Sequence, residues 1–298
     1  MGTPSGSSVY ASTGFACSVT CGRVSFVLGL QGPCASFDTA CSSSLVAGHS
    51  SLRALQSLEC PMALSSGVNM VLSAGAMRGN AIAGFTSVTG RSHTFDSRAD
   101  GYARGEAIGT ISSRLADGAS TRLLGSAIRQ DGRSASLTAP NGQAQQGVLS
   151  AALADAALTF DQVTALETHG TGTALGDPIE ASAFSAVFLS RWDETKRPLA
   201  AGSLKANVGH TEPGAGLAGL LKLLAVLQNA QGAPNAQLRS INPHVRAALG
   251  GRPGALPTQL TGLGSSQRRG FAGGFFHAAI VHVHLRGKRG RGLLHSDF

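Results

Sequence analysis

The residues with the most chemical potential in this chain are a thiol, two histidines and a lysine, each set in a distinctive local pattern. Cys41 closes the run Asp38-Thr39-Ala40 and opens Ser42-Ser43-Ser44-Leu45. Apolar residues then recur at Val46, Leu52, Leu55 and Leu58, near helical spacing, which predicts a buried helix over residues 42–58. A cysteine at a helix start sees unpaired backbone N–H groups and the positive end of the helix dipole, both of which favour thiolate over thiol. The pattern therefore suits a nucleophile, and it equally suits a small buried thiol with no reactivity.

Two glycine-rich stretches carry the other candidates. Glu167-Thr168-His169-Gly170-Thr171-Gly172-Thr173 runs on to Asp177-Pro178-Ile179-Glu180, and Lys205-Ala206-Asn207-Val208-Gly209-His210 follows later. The first lets backbone approach a ligand closely, but it lacks the Gly-Lys-Ser/Thr ending of a phosphate-binding loop. Taken singly, His169 and His210 read as hydrogen-bonded structural histidines. Taken with Cys41 and Lys205, they make a set suited to covalent acyl chemistry: a nucleophile, imidazoles to handle protons or oxyanions, and a cation to bias them. A cysteine hydrolase would need only Cys41 and one histidine.

These residues need elements to position them. Residues 24–28 and 34–37 read as short extended segments on either side of the turn signal from Gly29 to Pro33, and residues 63–73 read as strand. Residues 107–115 and 123–129 suggest a strand pair about Asp117-Gly118. Helical periodicity marks 145–157, 179–189 and 215–228, alternating with strand-like 163–166 and 199–204, a loop over 205–213, and a last strand over 278–285. Alternating helices and apolar strands predict an α/β layered fold with a largely buried mixed sheet, and such strands deliver loop residues at Cys41, His169 and Lys205–His210 to a common edge. The charged stretch from Phe95 to Glu106 reads as an ordered loop braced by ion pairs.

Composition narrows the class. A chain of 298 residues with 42% hydrophobic residues can bury a sizeable core. Five cysteines without paired CxxC spacing indicate neither a disulfide framework nor a zinc site, and they suit a reducing compartment. His282 and His284 share a strand face, but no carboxylate or cysteine nearby completes a metal site, so no metal is predicted. The N-terminus shows no signal or lipidation pattern, and the greasiest run, Leu217 to Leu227, is short and interrupted by Lys222, so no membrane contact is expected. A cytoplasmic location follows, or a plastid one in a photosynthetic eukaryote. The net charge is +8, of which the glycine-spaced tail of residues 286–298 contributes +3. No aromatic interleaving accompanies that charge, which argues against nucleic acid.

The three motifs, Asp38-Thr39-Ala40-Cys41-Ser42-Ser43-Ser44-Leu45, Glu167 to Thr173 with Asp177 to Glu180, and Lys205 to His210, resemble the active-site motifs of β-ketoacyl synthases of the thiolase superfamily. The triple serine resembles polyketide synthase ketosynthases more than fatty-acid ones. Phe95 to Glu106 and Leu137 to Gly142 also match, so the resemblance covers about residues 9–250. It implies a thiolase-like α-β-α-β-α fold of mixed sheets, with residues 1–160 as the remainder of an N-terminal half, 161–285 as a C-terminal half and 286–298 as a basic flexible tail. The family carries a much longer stretch before its cysteine, so the N-terminal half is expected to be incomplete, as in a truncated chain. The family also ends in a Gly-Phe-Gly-Gly-Thr-Asn-Ala-His loop, aligned here with residues 275–282, where Phe276 and His282 match.

The function implied is decarboxylative Claisen condensation of an acyl group on Cys41 with malonyl carrier protein. His169 and His210 would donate hydrogen bonds to the malonyl thioester carbonyl. Lys205 would hold Glu180 and support the histidine pair, Thr171 and Thr173 would line the pantetheine end of the pocket, and Phe276 would share an oxyanion site with Cys41. No cofactor is implied beyond phosphopantetheine supplied by an acyl carrier protein, and a homodimer is implied. The alternative is a non-catalytic ketosynthase-like partner or an inactive fragment.

Overall fold

The computed structural model describes residues 9–116, 121–136, 138–190, 198–252, 254–263, 267–273 and 281–286. In chain order these form α1 (Ala11–Phe15), α2 (Cys17–Leu28), α3 (Ser43–Gln56), β1 (Met62–Asn69), α4 (Ala74–Ile82), β2 (Ala107–Arg114) and β3 (Thr121–Leu123). They continue with α5 (Gly142–Asp155), β4 (Ala165–Glu167), α6 (Gly176–Phe184), β5 (Leu199–Gly202), α7 (Lys205–Val208) and α8 (Ala215–Asn229). The last are β6 (Gln231–Gly232), α9 (Pro243–Leu249), β7 (Gly254–Ala255), β8 (Thr261–Gly262), β9 (Gln267–Ala272) and β10 (Val281–Arg286).

The central sheet has the order β3-β10-β9-β4-β5-β7. Its middle is parallel, with β4 between β5 and β9, and β10 runs antiparallel to β9 and β3. Alternation along the strands splits the core in two. Leu166, Leu199, Ala201 and Phe271 face an outer cluster with Val148, Phe184, Phe188 and Val245 from α5, α6 with its π-helical extension over Ser185–Leu189, and α9. Ala165, Ala200 and Ala272 face the other way, onto Leu217, Leu220, Leu223 and Leu227 of α8. Small residues on that second face let α8 lie close: a Cβ at Gly270 would stand 2.6 Å from Leu223 Cδ1.

Beyond α8 and α3 lies the antiparallel pair β1–β2, registered from Met62↔Arg114 to Asn69↔Ala107. One face of that pair packs on α3 and α8, burying Ser65 and Asn69. The other presents Leu64, Val68 and Ile108 to solvent. The described layers thus run helix, sheet, helix, sheet.

Several local expectations change. Residues 24–28 belong to α2, not to an extended segment; Gly29 at φ 66° ends that helix and Leu30 N–H bonds Ser25 O at 2.9 Å. The bulky residues Val24, Phe26, Val27 and Leu28 imitate a strand by composition, but local hydrogen bonding closes a helix. β2 and β3 do not pair with each other: β2 joins β1 and β3 joins β10. The segment 205–213 is a single helical turn followed by a 3-10 turn at Glu212–Gly214 rather than an open loop. Residues 278–280, Phe276, His277 and the tail from 287 lie outside the described residues.

Candidate active site

Cys41 sits at a sharp corner. Ala40 has φ 53°, a left-handed conformation that costs a non-glycine residue energy, and α3 begins two residues after the cysteine. The serines that follow hold this corner. Ser42 Oγ donates to Thr39 O at 2.9 Å, Ser43 Oγ donates to Ala40 O at 2.6 Å and accepts from Thr39 N–H at 2.9 Å, and Ser44 Oγ accepts from Leu217 N–H of α8 at 3.0 Å. Each hydroxyl is buried and has a backbone partner, which explains why the run is serine and not alanine.

His169 follows β4 directly. Glu180 on α6 accepts from the amides of His169 at 2.6 Å and Gly170 at 2.8 Å, so a half-buried carboxylate clamps the turn that aims the imidazole. Gly170 cannot be replaced here: its φ is +46° and a Cβ would stand 2.6 Å from Ser203 Cβ and 2.7 Å from Thr94 Cγ2. His169 Nε2 faces Cys41 Sγ at 4.0 Å.

His210 comes from the turn after α7. Its amide donates to Ala103 O at 2.6 Å, and its ring lies 5.5 Å from that of His169 and 4.8 Å from Tyr102, edge to face in both cases. His210 Nδ1 accepts from Glu212 N–H at 3.3 Å, which puts its proton on Nε2. The thiol and one ring nitrogen of each histidine lie within 4.8 Å of one another. Three residues scattered over the sequence therefore share one space.

The electrostatics follow from burial. His169 and His210 are held well below the ordinary imidazole pKa, chiefly by burial and then by the positive charge of Lys205. Both are neutral at neutral pH. Lys205 is also pulled down by burial, against carboxylates that favour its charge, Glu167 foremost and Glu180 after it. Glu180 directs its oxygens to backbone amides, and burial pushes its own pKa up. Glu167, which opens the second motif but has no role assigned there, accepts from Leu204 N–H and from Lys222 Nζ at 2.6 Å each, fixing the entry to α7.

Thr171 and Thr173 stand together, their hydroxyls 3.4 Å apart, with Thr173 also capping Gly176 N–H. The stretch 95–106 is braced as expected, by Asp96–Arg98 at 2.7 Å and by Arg104–Glu212 at 2.6 Å. Its Tyr102, to which the sequence assigns no individual role, packs on His210. Phe276 lies outside the described residues. The sequence Gly270-Phe271-Ala272-Gly273 closes β9, in register with β4, where Phe271 pairs with Leu166 and Gly273 N–H bonds Glu167 O at 3.0 Å. It matches the Gly-Phe-Gly-Gly opening of the family loop more closely than residues 275–282 do.

Sequence models of the β-ketoacyl synthase N-terminal domain and C-terminal domain match residues 2–112 and 121–239. The chain is 43% identical over 243 residues to a phenolphthiocerol/phthiocerol polyketide synthase of Mycobacterium tuberculosis. The chain belongs to the β-ketoacyl synthase family. That match covers 79% of this chain and 13% of the relative; the spectinabilin polyketide synthase protein NorA' of Streptomyces orinoci is 45% identical over 78% of this chain and 7% of its own length. Among solved structures, the ketosynthase from module 6 of the bacillaene synthase of Bacillus subtilis 168 superposes with a TM-score of 0.87 at 31% identity, covering 94% of this chain and 51% of that one. The oxazolomycin ketosynthase domain of Streptomyces albus gives 0.86 at 28% identity. The chain is thus similar to ketosynthase domains of polyketide synthases and spans about half the length of those solved ketosynthases.

Proposed function

We propose that this ketosynthase chain carries the catalytic centre for decarboxylative condensation, with Cys41 as nucleophile. The supporting observation is the convergence of half-buried Cys41 Sγ with the nitrogens of the buried His169 and His210. The Cys41 thiolate attacks an acyl thioester, forming acyl-Cys41 and releasing the pantetheine thiol. A malonyl thioester then loses CO2, and the resulting enolate attacks the acyl carbon and expels the Cys41 thiolate. His210 donates a hydrogen bond from Nε2–H to the enolate oxygen, and His169, opposite the sulfur, completes the pair. Preorganised donors of this kind are worth about 3–4 kcal/mol in the transition state. Neutral imidazoles suit the role, because each can donate without carrying a buried charge.

Glu180 positions His169 through the backbone, and the charge of Lys205 adds to burial in keeping both rings neutral. Thr171 and Thr173 take the pantetheine end, and Phe271 rather than Phe276 supplies the second wall of the acyl oxyanion site. Phosphopantetheine arrives on an acyl carrier protein, whose acidic surface suits the +8 charge, and two copies associate as a dimer, which light scattering at micromolar concentration tests. Incubation with an acyl thioester followed by mass spectrometry is expected to place the acyl group on Cys41. A folded protein that stays unacylated refutes the reading, and acylation without condensed product on adding malonyl carrier protein marks a non-catalytic partner.

A further inference from the structure

Two cysteines outside the acyl site are paired by the fold. After the left-handed turn at Gly29, the chain folds back along α2 on its way to Cys41. Cys21 and Ser25, one helical turn apart and so on one face, meet residues of the returning stretch in reverse order: Ser36 Oγ donates to Cys21 Sγ at 3.2 Å and Ser25 Oγ donates to Cys34 Sγ at 3.4 Å. This antiparallel crossing places Cys34 beside Cys21 across the two chains of the turn. The Ser36 hydroxyl, joined by the Cys34 thiol, holds the Cys21 pKa below its ordinary value despite partial burial. Cys34 is exposed and Cys21 half-buried, so a small oxidant reaches both.

We propose that Cys21 and Cys34 are a redox modification site that closes to a reversible disulfide in the presence of a small-molecule disulfide oxidant. The Cys21 thiolate attacks one sulfur of the oxidant and expels the first small thiolate. Cys34 then attacks Cys21 Sγ in the mixed disulfide and expels the second. Two protein thiols lose two electrons and two protons, and the oxidant is reduced to two thiols. The bridge would pin the returning stretch to α2 just ahead of the nucleophile, and the Cys41 thiol would be left intact.

The competing thiols make the test selective. Cys17 lies one helical turn before Cys21, and Cys60 approaches the same stretch, its Cβ 3.4 Å from where a Gly32 Cβ would be. The 298-residue chain is incubated with oxidised glutathione, the remaining thiols are blocked, and non-reduced tryptic peptides are mapped. Cleavage after Arg23 separates the two partners, so the expected product is the first peptide joined to the one carrying Cys34, lighter by two hydrogens and separated by dithiothreitol. That product should vanish in Cys21→Ser and in Cys34→Ser, each checked for folding by thermal unfolding, and persist in Cys17→Ser, Cys60→Ser and Cys41→Ser. Persistence of the link in Cys21→Ser or Cys34→Ser, or glutathione adducts without any link, would overturn the proposal.

Discussion

Replacing His210 by alanine separates the two half-reactions. The ring lies 5.5 Å from His169, and it is the His169 nitrogen that faces Cys41 Sγ, so the thiol keeps its immediate partner. What disappears is the Nε2 proton that Nδ1, bonded to Glu212 N–H, fixes in place. Loss of one preorganised oxyanion donor costs about 10²–10³ in rate, or ~2.7–4 kcal/mol. Malonyl decarboxylation, followed as CO2 release, should fall by that factor in kcat with little change in KM, while acylation of Cys41 by an acyl thioester, followed by mass spectrometry, is largely kept. The substitution also leaves the Glu212 amide without its acceptor, a penalty of about 1–3 kcal/mol, and removes the Tyr102 edge contact, about 0.5–1.5 kcal/mol. Thermal unfolding must therefore show a folded protein first. Decarboxylation reduced less than about tenfold in a folded variant, or acylation reduced as much as decarboxylation, would refute the assignment of His210 to the enolate.

Lys205 lowers the pKa of both histidines, so Lys205→Met should raise them and move the acid limb of the pH–rate profile to higher pH; an unmoved limb means burial alone sets them. The same change removes a positive charge near Glu180, while Glu167 keeps Lys222 at 2.6 Å, and a loss of stability is expected in urea unfolding. Gly170→Ala forces a Cβ into Ser203 and Thr94 at positive φ, and a loss of at least ~1–3 kcal/mol is expected by the same measurement. Burial by itself would raise the Asp96 carboxyl, but hydrogen bonds from Arg98 and the amides of Ser240 and Arg239 outweigh it and hold the pKa well below the usual carboxylate range. Its stabilisation is present above the unfolded carboxylate pKa and is lost as pH falls through the lower folded value, so Asp96→Asn should flatten the acid side of the stability curve and cost ~1.5–3 kcal/mol at neutral pH.

Much of the site was legible because its chemistry is written locally. Cys41 before a serine run, and two histidines on glycine-rich turns, are patterns whose residue types and order carry meaning without a fold. The helices α3, α5 and α8 were legible for a similar reason: their apolar spacing is long enough to show a period. The misreadings fall where local signals are ambiguous or partners are remote. Val24 to Leu28 have strand-like side chains, yet i to i−4 bonds and the Gly29 turn make them helix. Proximity in sequence pairs β2 with β3, but β-partners are chosen by which faces can be buried, so β2 joins β1 and β3 joins the remote β10.

By itself, the sequence determined the candidate nucleophile, the two candidate histidines, the layered α/β class and the family, because motif residues and hydrophobic periods are properties of short stretches. Tertiary structure decided the rest. It showed that Glu180 serves the amides of His169 and Gly170, that Glu167 is the leading carboxylate acting on Lys205, that Tyr102 backs His210, and that Phe271 stands on the strand beside the one that leads into His169. Each of those assignments depends on distance and burial between segments far apart in the chain, and electrostatic effects in a buried site are set by those distances rather than by residue order.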